Sequence, residues 1–396
     1  MKLLEINSVC GIRSTGRIAS DIAMEMANRG HSAIVAFGRK PFLKEHNLIS
    51  YYFGSSFSFY KQALVSRFAN NEGFGCKKAT RHLIKFIDSF KPDIIHLHNL
   101  HGYYINVELL FNYLSSKDIP VVWTLHDCWP FTGHCAYFDS IQCLKWVDGC
   151  CSCPLKKAYP KSLLFDTSSK LYRKKKKLFT SIKKMTIVTP SLWLKDFVVK
   201  SFLKAFDLRV IYNGINTDIF REKNGQYFDQ FGFKNKKIVL GVAAVWDERK
   251  GLKDFIFLSK NLSSDFQVVL VGIDDKKKKS IPDSIFCIAS TNSTDELADI
   301  YSSADVFVNP TYSDNYPTTN IEAISCGTPV ITYNTGGSPE SALFYGMIVE
   351  KGNRDQLLSA VKSFESISKK GSDSFNFSRK RMVEEYINLY SELLKK

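Results

Sequence analysis

A run of about 18 apolar residues, the least that spans a bilayer as a helix, occurs nowhere in this sequence, so no membrane-spanning helix is expected. The N-terminus carries an early Glu5 and no long apolar stretch ahead of a cleavage site, so no signal peptide is expected either and the chain reads as cytoplasmic. Internal repeats and long linkers are missing. Acidic residues are in deficit: 39 Asp and Glu face 54 Lys and Arg, a formal charge of +15. Such an excess points to phosphate, in nucleic acid, in anionic lipid or in a substrate. No nucleic-acid motif and no helix of interleaved base-reading residues accompanies the charge, so nucleic acid is not an expected partner.

What is present is core material. Forty-four per cent of the residues are apolar and 13 per cent aromatic, which excludes a disordered or low-complexity scaffold. A chain of 396 residues exceeds one ordinary core and suits two domains of roughly 200 residues each. Ten cysteines in a chain of this size, without a signal peptide, are expected to stay reduced or to bind metal.

The pattern is strand and helix in alternation. Lys2–Val9 is apolar, Cys10-Gly11-Ile12-Arg13-Ser14-Thr15-Gly16 forms a Gly-rich turn, and Ile18–Ala27 has helical spacing. Strands are expected again at Ser32–Phe37, Asp93–His98, Pro120–His126, Met185–Thr189 and Leu208–Tyr212, with a helix over Thr80–Phe90. After a polar joint at Asn213–Asp218 the alternation restarts with Lys237–Ala243, Gln267–Val271, Ile285–Ile288, Val306–Asn309 and Pro329–Tyr333. This predicts an α/β protein of two Rossmann-like domains, each a parallel doubly wound sheet, with ligands bound at the carboxyl ends of the strands in a central cleft. The expected boundaries are 1–212, with a cysteine-rich insertion at 128–160, then 213–377, and a last helix at 378–396 that crosses back to the first domain.

The most specific stretch is Ser313–Ile331. A polar loop containing Asp314 runs into a helix that starts near Thr318, so Thr318, Thr319 and Asn320 form a first turn whose backbone N–H groups and positive dipole end suit a diphosphate. Glu322 lies one turn further in, where its carboxylate can accept from ribose hydroxyls, and Asp314 stands at the loop entrance for sugar hydroxyls.

With Thr335-Gly336-Gly337-Ser338-Pro339-Glu340 behind it, this stretch resembles the C-terminal signature of the retaining glycosyltransferases of family 4, whose fold is GT-B. The resemblance extends over nearly the whole chain, through the Gly-rich first turn, Asp93–His98, Thr124-Leu125-His126-Asp127, Ile211–Asn216 and Arg249-Lys250-Gly251. In the family two glutamates are separated by seven residues; Asp314 and Glu322 occupy those positions, the first shortened by one methylene. Lys250 matches the lysine that neutralises the leaving pyrophosphate. The arginine usually found some six residues earlier is absent, Ala243-Ala244-Val245-Trp246 standing there, and Arg249 is the candidate substitute.

The resemblance implies a hexosyl transfer with retention, from a UDP- or GDP-linked sugar to a glycan or polyprenyl-diphosphate-linked acceptor in bacterial polysaccharide biosynthesis, with no catalytic metal. It places His126 beside the transferred sugar, Gly16 near the donor, and Arg13, Ser14, Thr15, His98 and Asp127 on the acceptor side. For His96, His98 and His101 simple packing is the competing reading. Nucleotide-sugar epimerisation or hydrolysis on the same fold is the alternative chemistry, and a zinc-knuckle nucleic-acid binder is the other class.

Two features lie outside that reading. Cys135, Cys143, Cys150 and Cys153 could hold a structural zinc with four thiolates, His134 and Cys151 being spare candidates, or be packed free thiols. An iron–sulfur cluster is a further reading. The basic tract Arg173–Lys177 beside Leu171, Tyr172, Leu178 and Phe179 is either a solvated helix face or a peripheral contact with the anionic inner leaflet of the plasma membrane.

Overall fold

The structure, a computed structural model, describes residues 1–42, 48–368 and 377–395, and at position 140 the backbone alone. The chain divides into two units, Met1–Tyr212 with Met382–Lys396, and Asn213–Arg381.

The first unit runs β1 (Lys2–Asn7), α1 (Arg13–Asn28), β2 (Ser32–Phe37), β3 (Ser50–Tyr52), α2 (Ser56–Ala69), α3 (Lys77–Phe90), β4 (Ile94–Leu97), α4 (Val107–Ser115), β5 (Val121–Thr124), α5 (Ser168–Phe179), β6 (Met185–Thr189), α6 (Leu192–Val198) and β7 (Asp207–Val210). Its seven strands are parallel in the order β3-β2-β1-β4-β5-β6-β7. Helices cover both faces, so the central strands are buried throughout and read as mostly apolar runs. The helices carry the complementary stripe: α3 buries Ala79, Thr80, Leu83 and Ile87, neighbours on one face at helical spacing.

On one face of the sheet Phe111, Trp123 and Phe179 pack with ring centroids 4.5 to 5.4 Å apart, each pair adding about 0.5 to 1.5 kcal/mol beyond its buried area. On the other, Ile22 and Met26 of α1 join Met382, Tyr386 and Tyr390 from α13 (Arg379–Lys395). The 128–160 segment holds only two single-turn 3-10 helices, Trp129–Phe131 and Asp139–Ile141. Phe131, Phe138 and Trp146 anchor it to the core.

The second unit runs β8 (Lys237–Val242), α7 (Leu252–Asn261), β9 (Phe266–Val271), α8 (Asp275–Lys278), β10 (Ile285–Ile288), α9 (Thr294–Ser302), β11 (Val306–Asn309), α10 (Thr318–Ser325), β12 (Val330–Tyr333), α11 (Ser338–Ala342), β13 (Gly346–Val349) and α12 (Arg354–Lys362). Its parallel order is β10-β9-β8-β11-β12-β13. In both units the first strand sits inside the sheet and the order reverses on either side of it, which opens a crevice at the carboxyl ends of β1 and β4 and of β8 and β11. The sequence reading missed β3 and β13; both are edge strands without a fully buried apolar run.

The basic tract is corrected here. Lys175 is fully buried in α5, donating from Nζ to the carbonyls of Trp129 (2.8 Å) and Thr132 (3.0 Å) with its ammonium over the Trp129 ring. Lys174 pairs with Glu108 at 2.8 Å. The amphipathic period of α5 turns the middle of the tract inward, so Arg173–Lys177 is not one solvated cationic face.

Candidate functional site

In the second unit the chain leaving β8 ends in a 3-10 turn, Glu248–Lys250, capped by the Asp247 carboxylate accepting from Lys250 N–H at 3.1 Å. Gly251 follows at φ +71°, and a Cβ there would lie 2.3 Å from Pro310 O, so only glycine lets this turn press against the chain leaving β11. Tyr312 N–H then donates to Arg249 O at 2.8 Å and fixes the two loops together.

This clasp turns both neighbouring cations onto one carboxylate. Lys250 Nζ is 2.6 Å from Asp314 Oδ2, and Arg249 Nη1 is 3.9 Å from the same oxygen while donating to Ser313 O at 2.8 Å. Burial disfavours the Asp314 charge, but Lys250 and Arg249 outweigh it and hold the carboxyl below its usual range. Gly336, at φ +59°, passes so close to Asp314 O that a Cβ would lie 1.8 Å away, and Gly337 N–H donates to that oxygen at 3.2 Å. The Gly-Gly pair of the sequence motif therefore seats the Asp314 backbone.

Helix α10 starts after Pro317 with no side chain capping it, which leaves first-turn N–H groups available. Thr318 and Thr319 are half-buried at that end. Glu322 is buried one turn in, and Tyr301 donates its hydroxyl to Glu322 Oε2 at 3.1 Å. Asn320, read from the sequence as donor-binding, has its side chain committed elsewhere. It accepts from Asn309 Nδ2 at 2.7 Å and donates to Ser338 Oγ and Ser341 Oγ at 3.1 and 2.8 Å, tying α10 to β11 and α11.

In the first unit the buried ends of β1, β4 and β5 make a hydrogen-bonded chain of side chains. His98 Nε2 is 2.5 Å from Glu5 Oε2 and His98 Nδ1 is 3.0 Å from His126 Nε2. His96 Nδ1 is 3.1 Å from Glu5 Oε1 and 2.7 Å from the Tyr390 hydroxyl, and His96 Nε2 reaches Thr124 Oγ1 at 2.8 Å, which Tyr386 meets at 2.9 Å. Burial opposes the charge on Glu5, yet the two imidazoles lower its pKa to about 2. Burial also pushes His96 down to about 4 and His126 well below its usual value, with the neighbouring imidazoles acting in the same direction on His126.

His98 and Asp127, expected on the acceptor side, both have partners inside the protein. His98 is 1 per cent exposed and lies between Glu5 and His126. Asp127 is buried with both oxygens engaged, Oδ1 by Trp129 N–H at 2.9 Å and Oδ2 by His101 Nε2 at 2.7 Å. His126 itself is half-buried. Gly16 lies inside α1, where a Cβ would come within 3.0 Å of Val9 Cγ2, so it serves close helix–strand packing. Arg13 and Ser14 are exposed and Thr15 half-buried in the opening turn of α1, with Arg13 at φ +58°. Sequence reasoning overlooked Glu5, Tyr301, Tyr386 and Tyr390; for Glu5 the available signal was one acid inside an otherwise apolar strand.

The cysteines of the expected metal site come together in part. Cys135 and Cys153 interact through their thiols. Among the described residues, however, the one group of three or more ligand atoms all within 4.8 Å of one another is Glu5, His96 and His98, whereas four thiolates about 2.3 Å from a zinc ion would lie closer together than that. Gly133 N–H donates to Cys150 Sγ at 3.1 Å and the Trp146 indole N–H donates to Cys143 O at 2.9 Å, and Cys150 lies within electrostatic reach of Cys135, Cys143 and Cys153.

Comparison with known proteins places these loops in a family. The model described as Glycosyltransferase Family 4 matches residues 15–219, and that described as Glycosyl transferases group 1 matches residues 224–381. WcaC of Escherichia coli (strain K12), assigned by name to colanic acid biosynthesis as a glycosyl transferase, is 26% identical over 76% of this chain and 77% of its own length. The N,N'-diacetylbacillosaminyl-diphospho-undecaprenol alpha-1,3-N-acetylgalactosaminyltransferase of Campylobacter jejuni is 22% identical over 44% of this chain and half of its own. Anabaena HepE, solved in complex with UDP-glucose, superposes with a TM-score of 0.66 over 99% of this chain and 100% of that chain at 14% identity, a likeness of fold. The fold is GT-B, two Rossmann-like units, and with a family model matching more than half of its residues the chain belongs to glycosyltransferase family 4.

Proposed function

We propose that this glycosyltransferase moves a hexosyl group from a UDP- or GDP-linked sugar to a glycan or polyprenyl-diphosphate-linked acceptor in bacterial polysaccharide biosynthesis, with retention of configuration, on the cytoplasmic face of the membrane. The observation that carries the reading is the convergence of Lys250 and Arg249 on Asp314 at the crevice between β8 and β11. Two cations beside an uncapped helix start suit the charge that gathers on a departing diphosphate.

In this reading the α10 N-terminus holds the diphosphate and Glu322 accepts from the ribose hydroxyls. Asp314 accepts from the transferred sugar, and its pairing with Lys250 and Arg249 keeps it ionised and aligned. The bond from the anomeric carbon to the diphosphate oxygen breaks, the acceptor oxygen bonds to the same face of that carbon, and the acceptor proton passes to the leaving diphosphate. No protein nucleophile is needed. His126, kept neutral by burial, accepts or donates a hydrogen bond at the sugar without placing a positive charge beside a developing oxocarbenium ion. The names of WcaC and of the undecaprenol-dependent relative support a polysaccharide pathway and a lipid-linked acceptor, and the UDP-glucose complex of HepE supports a nucleotide-sugar donor.

A thermal-shift panel of UDP- and GDP-sugars, followed by product analysis with and without acceptor, tests the proposal. Stabilisation by one class of donor, slow nucleotide release alone and fast release with acceptor is the expected result. Rapid epimerisation or hydrolysis without acceptor would replace transfer with the alternative chemistry.

A further inference from the structure

Helix α2 is built inside out. Its buried residues are Gln62 and Ser66, held by Asn71 O (3.0 Å) and Glu72 (3.4 Å), while its aromatic and aliphatic side chains other than Phe59, which packs on Tyr103 and Arg39, mostly face away from the unit. Phe57 is 77 per cent exposed, Tyr60 70 per cent and Leu64 58 per cent, with Phe68 one turn further along the same stripe. The helix is nonetheless well formed, started by Ser55 accepting from Ser58 N–H and closed by Asn70 in the left-handed region. The core therefore does not explain its apolar content.

A second apolar segment lies against the end of this helix. Leu163 N–H donates to Arg67 O and Phe165 N–H to Phe68 O, and Thr167 Oγ1 donates to Asn70 O. Leu164 and Phe165 are 60 and 62 per cent exposed. Together the two segments make a continuous apolar surface of the kind that marks an interaction site.

The charge around it is mostly of one sign, Asp166 beside Phe165 being the exception. Residues 55–69 and 155–165 contain no Asp or Glu, while Lys61, Arg67, Lys157 and Lys161 are exposed among them. Aromatic and aliphatic side chains rimmed by cations match a bilayer surface, where the rings enter the headgroup boundary and the cations meet lipid phosphate. The same segment leads back to the candidate site, because the Tyr159 hydroxyl is 2.9 Å from His101 Nδ1, and His101 Nε2 is 2.7 Å from Asp127.

We infer that α2 and residues 163–165 form the surface by which the first unit rests on an anionic membrane, presenting the Asp127–His126 end of β5 to an acceptor carried in that membrane. The location of lipid contact thus moves from Arg173–Lys177, whose central lysine is buried, to a face whose sequence signal is a helix with its apolar side turned outward. The link to the acceptor rests on the proposed transfer to a lipid-linked glycan; the lipid contact itself does not.

The test uses the full chain and phosphatidylcholine vesicles with and without phosphatidylglycerol. The wild-type protein should pellet with the anionic vesicles and less at high salt. Phe57→Ser with Leu64→Ser and Phe165→Ser should weaken that binding roughly a hundredfold while the melting temperature and its rise with the UDP- and GDP-sugar panel are retained. Lys157→Glu with Lys161→Glu should abolish the preference for anionic lipid and spare the fold. Wild-type protein left in the supernatant, serine variants that pellet unchanged, or a concentration-dependent dimer that the serine substitutions dissolve would each overturn the inference. Vesicle binding without any donor response would instead overturn the transferase reading and leave the membrane surface standing.

Discussion

His98 Nδ1 lies 3.0 Å from His126 Nε2, with the two rings stacked at 5.3 Å between centroids. A carboxylate only accepts, so the His98 nitrogen facing Glu5 carries a proton. Its other ring nitrogen, Nδ1, shares a hydrogen bond with His126 Nε2. Glu5 thus orients His126 through one intervening ring.

Glu5→Gln should therefore lower turnover by roughly tenfold to a hundredfold through misplacement of His126, with little change in the apparent donor affinity. It should also cost about 1 to 3 kcal/mol of stability, because buried imidazoles lose a charged partner. Steady-state kinetics beside urea unfolding checks this, and unchanged turnover in a destabilised variant would reduce Glu5 to a packing role.

Lys250→Ala should slow transfer by roughly a hundredfold with a smaller effect on donor binding, since charge accumulates on the diphosphate mainly in the transition state. Arg249→Ala should lower the same rate constant, because Arg249 reaches the same oxygen of Asp314. An unaffected rate at Arg249 would mean that another group supplies the missing arginine.

Glu322→Ala should weaken donor binding by about 1.5 to 3 kcal/mol, the worth of a hydrogen bond to a charged group, and leave the fold intact. Near wild-type turnover at low donor concentration would remove Glu322 from the site.

Acid should destabilise the first unit in two steps. His96 is lowered from 6.5 to about 4, so between those pH values the unfolded chain binds a proton that the folded chain refuses, and stability falls as pH drops. Glu5 is lowered from 4.5 to about 2, and its contribution is lost across that lower window. His96→Gln should flatten the upper limb and shrink the lower one in part, because His96 is one of the two imidazoles that lower Glu5. Denaturant unfolding at pH 7, 5 and 4 checks it, and parallel curves for variant and wild type would refute the assignment.

Purified protein should carry well below one zinc per chain, and Cys143→Ser should leave the melting temperature unchanged, because no three of the four thiols lie within 4.8 Å of one another. Stoichiometric zinc that is lost with Cys143→Ser, together with stability, would show that the loop closes around metal.

Much of this was written locally. Strands buried on both faces appear as apolar runs such as Val121–Thr124 and Met185–Thr189, and turn glycines such as Gly251 and Gly336 mark where the backbone needs positive φ or close approach. Asp314, Glu322 and Lys250 were legible because each is fixed by its distance from a strand end or a helix start. Partners far apart in sequence come together only through the folded topology. Glu5 meets His98 across 93 residues and Tyr390 across 385, because parallel crossovers set β1 beside β4 and α13 returns over that face. Periodicity reports that a helix has an apolar side but not which way that side turns, so Lys175 could be buried inside a basic tract and Phe57 left exposed on a helix whose polar side packs inward.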